Sequence, residues 1–186
     1  MDFLELVTGA RTCRRFREAE GMPAGMLDWL IACARVTPCG GNAQALRFAV
    51  AESPEALKWA GMLTDWDGPE AGERPTGYVA ILGEAGTRAK LNAIDAGIAA
   101  QTIQLAAYTR DLGCCIFLSF DPRKIREVLG IPENLEPLLV LALGFQKEVR
   151  RVETVGADGS VKYWRDAQGV HHVPKRPLED LLIIKK

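Results

Sequence analysis

The chain has 186 residues and 48% of them are apolar, so it is long enough to bury a substantial core and fits a single domain. Its 23 Lys and Arg residues are balanced by 24 Asp and Glu residues, and the formal charge of -1 argues against nucleic acid as a partner. No apolar run is long enough to span a bilayer, and the acidic N-terminus does not resemble a secretion signal. We therefore expect a cytoplasmic protein without a membrane partner.

The cysteines and histidines do not form a metal-binding pattern. Five cysteines are present, and none of their spacings is typical of paired metal ligands, so we expect reduced thiols. The two histidines, His171 and His172, are adjacent, which excludes a multi-histidine metal site within one chain. We interpret both as surface residues of a strand or loop and predict no bound metal.

Hydrophobic periodicity predicts a mixture of helices and strands. The long helix predicted in the second half is apolar on several sides and rich in alanine, so we place it in the core. In chain order, the first half is predicted to contain helices at 2–8, 26–36 and 54–63, strands at 46–51 and 78–82, and a charged loop at 65–76. The second half is predicted to contain the long helix at 87–110, strands at 115–120 and 137–143, and a helix at 122–129.

The chain changes character after residue 144. Two short segments, 152–155 and 161–164, flank a turn signal at 156–159 and predict a β-hairpin, with a second turn following at 166–169. The C-terminal end is too apolar to remain exposed, so we expect it to pack against another surface, such as a second subunit. We interpret the chain as one domain spanning 1–186, with a hairpin elaboration at 151–170 and a C-terminal arm at 175–186.

Two basic clusters could bind an anion. Residues 11–16 contain three arginines and a threonine, and guanidinium groups bind phosphate through paired hydrogen bonds while the hydroxyl adds a neutral donor. Taken alone, a solvated basic turn that binds nothing explains this segment equally well. The candidate residues are Arg11, Thr12, Arg14 and Arg15 in the first cluster, and Lys175 and Arg176 in the second.

A Gly-rich loop at 37–44 joins a predicted helix to a predicted strand. Its two glycines allow the backbone to approach a flat ligand, while Asn42 and Gln44 offer the donors and acceptors that read a heterocycle edge. Taken alone, a simple Gly-rich connection is the better interpretation. Residues 113–115 precede a predicted strand, and either a ligand-facing backbone N–H or an ordinary helix-to-strand turn fits them. Neither a Rossmann nor a Walker motif occurs, so side chains must hold any phosphate.

The order of these motifs resembles the nitroreductase family of FMN-dependent oxidoreductases. Residues 10–16 are similar to the family's Arg-Arg-Ser-x-Arg-x-Phe segment, with alanine in place of the first arginine, and residues 37–44 to its Ala-Pro-Ser-x-x-Asn-x-Gln segment. Residues 95–101 resemble its Asp-initiated helix, residues 112–120 its Leu-Gly to Phe segment, and residues 175–179 its closing basic-Pro-Leu-Glu segment. The resemblance covers nearly the whole chain.

The resemblance implies an α+β fold with a central mixed, mostly antiparallel β-sheet flanked by helices, a long central helix, and C-terminal arms exchanged in a homodimer. It also implies non-covalent FMN at the subunit interface. At the phosphate and ribityl end of FMN, the resemblance implies contacts from Arg11, Thr12 and Arg14, with Arg15 as an alternative and with Lys175 or Arg176 adding charge. The ring would be contacted across the dimer interface by a loop of the partner subunit that contains Pro38, Cys39, Gly40, Asn42 and Gln44. Near the reactive edge of the ring, the resemblance implies Gly113, Cys114 and Cys115.

The function implied is hydride transfer from NADH or NADPH through bound FMN to a small electron-poor acceptor, in a ping-pong cycle. No catalytic side chain is required, although Arg14 would stabilise negative charge if it reached the pyrimidine end of the ring. Two alternatives remain open, a flavin-binding module without turnover and a scaffold without ligand. Trp66, Tyr163 and Trp164 could stack an aromatic acceptor, but local packing is the better interpretation.

Overall fold

The structure divides into two compact units. The larger unit spans Thr12–Lys147, and the smaller unit combines Met1–Arg11 with Glu148–Lys186. The structure is a computed structural model, and it describes residues 1–52, 54–55, 59, 69–86 and 88–185.

The helices of the structure are α1 (Phe3–Gly9), α2 (Met26–Arg35), α3 (Ala89–Tyr108), α4 (Pro122–Leu129) and α5 (Leu178–Leu181). Its strands are β1 (Leu46–Glu52), β2 (Gly77–Glu84), β3 (Leu112–Phe117), β4 (Leu135–Phe145), β5 (Arg150–Thr154), β6 (Trp164–Arg165) and β7 (His171–Lys175).

The larger unit is built on an antiparallel sheet with the strand order β1-β2-β4-β3. Successive side chains of β2 point to opposite faces, and both faces are buried. Val79 and Ile81 join a core with α2 and α3, whereas Tyr78 and Ala80 join a second core with Ile125 of α4. Helices therefore flank the sheet, and the α+β fold expected from the sequence is confirmed.

Helices of the larger unit begin and end at residues whose types favour helix termini. The Asp121 carboxylate caps α4 by accepting from the N–H of Arg123 at 2.9 Å, and Gly130 ends the helix with a φ of 59°. The predictions at 26–36 and 87–110 are confirmed with shorter ends. Residues 56–58 and 60–63 of the predicted helix at 54–63 lie outside the described residues, as do residues 65–68 of the predicted loop.

The smaller unit contains α1, α5 and a three-stranded sheet. α1 begins in a capping box: the N–H of Glu5 donates to the Asp2 carboxylate at 2.8 Å, and the N–H of Asp2 donates to the Glu5 carboxylate at 2.9 Å. In the sheet, β7 lies in the middle, parallel to β5 and antiparallel to β6. The helix predicted at 2–8 is thereby confirmed, shifted by one residue.

The predicted pairing of 152–155 with 161–164 is wrong. β5 pairs with β7 instead, and the hairpin of this sheet is the β6–β7 pair around the turn at 166–169. The physical reason lies in the charges: His172 of β7 has Glu153 of β5 on one ring nitrogen and Asp166, beside β6, on the other. The pattern of apolar residues in the sequence does not predict this strand pairing, because ion pairs join the neighbouring strands.

Candidate functional site

Residues 12–16 of the basic segment lie along the edge of the larger unit's sheet, beside β3. Thr12 forms a parallel bridge with Cys114, and the N–H of Cys13 donates to the Cys114 carbonyl at 2.9 Å. Cys13 is buried, while its neighbours Thr12 and Arg14 are half-buried. Because side chains alternate in an extended chain, we infer that Thr12 and Arg14 share the side that faces away from Cys13.

The arginines of this segment differ in their partners. Arg15 lies 3.4 Å from the Glu73 carboxylate, which Lys147 also approaches at 3.1 Å, so Arg15 already has a carboxylate partner, which it shares with Lys147. Arg11, in the smaller unit, makes no side-chain hydrogen bond or ion pair with the residues that the structure describes. A guanidinium without a carboxylate is the better candidate for an incoming phosphate.

Residues 113–115 lie inside β3, and the interpretation of this segment as a turn is wrong. The turn comes earlier, at Asp111, whose φ of 59° reverses the chain directly after α3. Gly113 is required because the Cys13 side chain occupies the space that a Cβ would fill. Cys114 is buried, and burial raises the pKa of its thiol, which argues against a reactive thiolate here. The predicted cofactor contact of these residues stays a prediction.

The Gly-rich loop has a strained backbone. Gly41, Asn42 and Gln44 have φ values of 61°, 51° and 51°; glycine adopts this left-handed region freely and asparagine at reduced cost, whereas for Gln44 the cost is about 1–2 kcal/mol. The N–H of Gln44 also donates to Cys39 Sγ at 3.3 Å, which closes the loop on itself. Backbone strain of this kind persists only where surrounding contacts enforce it, and it is frequent at ligand-binding sites.

A cavity of about 400 Å³ lies between the end of α2, the Gly-rich loop and the start of β1. Cys39, Asn42 and Gln44 line it, so the structure brings three of the predicted ring-contacting residues to one surface. Arg35 and Arg47 also line the cavity. Apolar side chains such as Phe48 form much of the remaining lining, so the cavity combines amides, a thiol and positive charge with an apolar surface, a combination that suits a flat heterocycle with polar edges.

Two residues that the sequence interpretation left out of the site anchor this loop: Asp95 of α3 and Arg88, the N-cap residue directly before α3. Asp95 accepts a hydrogen bond from the N–H of Gly40 at 2.9 Å, and Arg88 donates to the Gly40 carbonyl at 2.9 Å. Asp95 is only 4% exposed. A single acidic residue in an alanine-rich apolar helix is the sequence signal that could have identified it, because a buried carboxylate needs a donor.

The second basic cluster lies at the end of β7 in the smaller unit. Lys175 is the last residue of the strand, Arg176 follows it, and both are exposed. Neither side chain forms an ion pair within the described part of the chain. Their charges are therefore available to an anionic ligand.

The interpretation of His171 and His172 as surface residues is wrong. They are 3% and 6% exposed in the middle strand β7. His172 has Glu153 at 2.5 Å from Nδ1 and Asp166 at 3.0 Å from Nε2, and these hydrogen bonds raise its pKa. Trp164 stacks on His172 with ring centroids 4.0 Å apart, and Tyr163 contacts His171 edge-on, so both aromatic residues pack locally as expected. Trp66 lies outside the described residues.

None of the five cysteines is in a disulfide. No group of three or more His, Cys, Asp or Glu side chains is placed to hold a metal ion among the residues that the structure describes. Over the same residues, no helix has both the length and the apolar character needed to cross a membrane.

The family of the chain follows from a match to a family model. Residues 7–71 and 69–145 match the nitroreductase family, and because the match covers more than half of the sequence, the chain belongs to that family. The resemblance inferred from the motifs is confirmed, together with the expected class of enzyme, an NAD(P)H oxidoreductase of the nitroreductase type. A comparison with curated proteins gave no match.

Solved structures share the fold over most of the chain. A nitroreductase family protein from Clostridium difficile 630 is 25% identical, with 80% of this chain and 87% of that chain covered and a TM-score of 0.68. A Desulfovibrio desulfuricans protein solved in complex with FMN is 20% identical, with coverage of 98% and 96% and a TM-score of 0.72. A Staphylococcus epidermidis protein provisionally named an NAD(P)H:FMN oxidoreductase is 17% identical, with coverage of 100% and 95% and a TM-score of 0.74. The last two similarities concern the fold alone.

Proposed function

We propose that the protein is an FMN-dependent oxidoreductase that passes hydride from NADH or NADPH to a small electron-poor acceptor, such as a nitroaromatic, a quinone or an enone, in a ping-pong cycle. The observation that carries this proposal is the strained Gly-rich loop, in which Asn42 and Gln44 keep left-handed backbones at the edge of a cavity. Family membership supports the reaction class, and the FMN bound by the Desulfovibrio desulfuricans protein supports the choice of cofactor.

The residues present fit FMN in their chemistry. In the larger unit, Thr12 supplies a neutral hydroxyl donor and Arg14 a guanidinium, the two kinds of donor that a phosphate accepts from. In the smaller unit, the charges of Arg11, Lys175 and Arg176 have no carboxylate partner among the described residues. Following the family resemblance, we propose Thr12 and Arg14 as the phosphate contacts of the larger unit, with Arg15, which lies 3.4 Å from the Glu73 carboxylate, as the alternative.

We propose that the ring of FMN is received by Pro38, Cys39, Gly40, Asn42 and Gln44 of a second copy of the chain. Bound FMN would supply the acceptance and donation of hydride. The loop would orient the ring and exclude water from one side of it, with the amides of Asn42 and Gln44 as hydrogen-bonding groups. Arg14 would place a positive charge at the pyrimidine end of the ring, where it would stabilise the negative charge that the flavin gains on reduction. Gly113, Cys114 and Cys115 are buried in β3, so their proposed contact is through the backbone.

The test of the cofactor assignment is a fluorescence titration of the purified protein with FMN. The wild-type protein should bind FMN, and Arg14→Ala and Lys175→Ala should each weaken binding about tenfold, since each loses one charge-assisted contact. Arg123→Ala and Lys162→Ala are matched controls, because both side chains are exposed and form no ion pair among the described residues. Unchanged affinity in both site variants would contradict the assignment, and flavin that neither NADH nor NADPH reduces would favour the non-catalytic binding module.

We also propose a cytoplasmic homodimer. α3 exposes Leu91, Ile94 and Ile98, which are 40%, 51% and 38% accessible, and the C-terminal segment exposes five large apolar residues from Leu178 to Ile184. Covering such surface is favourable by about 25 cal/mol per Å². Sedimentation at low micromolar concentration should give a dimer, and truncation after Pro177 should shift it toward monomer or aggregate. A stable flavin-loaded monomer would contradict exchange of the C-terminal arms.

A further inference from the structure

Three side chains converge on Gly40: Leu91 and Asp95 on one face of α3, and Arg88, the N-cap residue that directly precedes the helix. Asp95 accepts from the N–H of Gly40 and Arg88 donates to its carbonyl, both at 2.9 Å, so both backbone polar groups of Gly40 are held from α3 and its N-cap. Leu91 lies between them in sequence, and its Cδ2 would be 3.3 Å from a Cβ at position 40. Residues spaced by three and four positions share one face of a helix, which explains why all three reach the same point.

Among the residues that the structure describes, the Asp95 carboxylate forms no other hydrogen bond or ion pair that would offset its burial. It is 4% exposed, and a carboxylate taken out of water is costly unless donors satisfy it. The N–H of Gly40, outside the helix, is the donor that the structure gives it. The burial of Asp95 is therefore coupled to the position of the loop rather than to the packing of α3.

The anchored residue directly precedes the strained part of the loop. Gly41 and Asn42 follow Gly40, and both have left-handed backbones, as does Gln44. The N–H of Ala43 donates to the same Gly40 carbonyl that Arg88 holds, at 3.3 Å. A strained backbone relaxes unless its surroundings enforce it, and the contacts at Gly40 are the ones that join the strained segment to the core helix.

We propose that Asp95 is a positioning residue that acts through Gly40 to keep Asn42 and Gln44 in the conformation that receives the flavin ring, with Arg88 as its secondary partner. The inference rests on the proposed function. Without the carboxylate, the Gly40 N–H would be left without its acceptor and the loop would exchange among relaxed backbones. Each of those backbones would have to be reordered at the moment of binding, which lowers affinity for FMN.

The experiment compares Asp95→Ala with Asp95→Asn, which keeps an oxygen acceptor at the same position. The matched control is Asp28→Ala, which removes an exposed carboxylate from α2. FMN affinity is measured by fluorescence titration, and the visible circular dichroism of saturated protein reports the ring environment. Asp95→Ala should weaken binding at least tenfold and change the dichroism. Asp95→Asn should lose less than threefold, and Asp28→Ala should match the wild-type protein.

Arg88→Ala provides a second test if Asp95→Ala fails to fold, because it removes the other contact to Gly40 from a residue nearer the start of α3. It should weaken FMN binding about threefold to fivefold. Wild-type affinity and dichroism in Asp95→Ala, or in Arg88→Ala where only that variant folds, would overturn the positioning role while leaving the proposed function intact. Failure of the wild-type protein to bind FMN would overturn both.

Discussion

The two sheets of this protein are stabilised by different forces. In the larger unit, β2 is buried on both faces, and Val79, Ile81 and Leu141 are fully inaccessible among other apolar side chains. In the smaller unit, the middle strand β7 carries two buried histidines that face carboxylates. The first sheet depends on apolar area removed from water, which pH does not change. The second depends on protonation states, so its stability should depend on pH.

The largest effect should come from removing apolar volume in the larger unit. Ile81→Ala leaves a cavity in a position with no exposure, and such truncations cost about 2–5 kcal/mol. Urea unfolding should show this loss, whereas Val128→Ala, at a position 58% exposed, should stay within about 0.5 kcal/mol of the wild-type protein. Equal effects at the two positions would contradict an apolar core on this face of the sheet.

A smaller effect is expected from the buried carboxylate of the second sheet. The Glu148 side chain is 1% exposed and forms an ion pair with Arg165. Glu148→Ala should reduce the protection of β7 amides against hydrogen exchange by about 1.5–3 kcal/mol, the usual worth of a hydrogen bond to a charged group. The exposed carboxylate of Glu179, in the same unit, provides the control through Glu179→Ala. Similar protection in both variants would mean that the charges do not organise this sheet.

The pH dependence of the second sheet should follow His172. Its hydrogen bonds to Asp166 and Glu153 raise its pKa above 6.5, and its bond to Asp166 lowers the pKa of that carboxyl below 3.8. The raised pKa contributes stability fully below pH 6.5, and this contribution is lost as pH rises through the folded-state value. The lowered pKa of Asp166 contributes above pH 3.8 and is lost as pH falls.

Hydrogen exchange of β7 amides as a function of pH measures this dependence directly. Protection in the wild-type protein, corrected for intrinsic exchange rates, should fall as pH rises above about 6.5. His172→Phe keeps a ring to stack on Trp164 and removes one of the two histidines of β7, so its protection should fall less than that of the wild-type protein over the same range. A wild-type profile identical to that of His172→Phe would refute the role of His172 in the stability of this sheet.

The smallest effect concerns one ion pair of the larger unit. Hydrogen bonds from the Arg74 side chain, and from the backbone N–H of Arg74 and Gly72, lower the pKa of Glu18 to about 2. Its contribution to stability is complete above pH 4.5 and is lost as pH falls toward about 2. Glu18→Gln should therefore remove part of the acid sensitivity of urea unfolding in this range. An unchanged acid profile in Glu18→Gln would place that sensitivity elsewhere.

The difference between the sheets also explains which parts of the fold were predictable. The helices of the larger unit have apolar periodicity and local cap residues, such as Asp121 before α4, and these signals lie close together in sequence. The strand partners in the smaller unit are chosen by His172 and residues up to 19 positions away, which no local pattern encodes. The adjacent histidines therefore looked like surface residues although they are the centre of their sheet.

The candidate site was predictable in part for the same reason. The Gly-rich loop has a compositional signal, and Cys39, Asn42 and Gln44 do share a cavity. The residues that anchor the loop have no such signal in the sequence, because Gly40 and Asp95 are 55 positions apart and their contact forms only in the packed fold. Residues 113–115 were misjudged as a turn because Gly113 has the composition of one, whereas its role is to admit the Cys13 side chain next to β3.

Anaerobic reduction of the FMN-loaded wild-type protein is the decisive experiment for the proposed reaction. NADH or NADPH should bleach the visible flavin absorbance, and a nitroaromatic or quinone added afterwards should restore it. Protein that binds no FMN, or bound flavin that stays oxidised with both nicotinamides, would contradict the proposed oxidoreductase function.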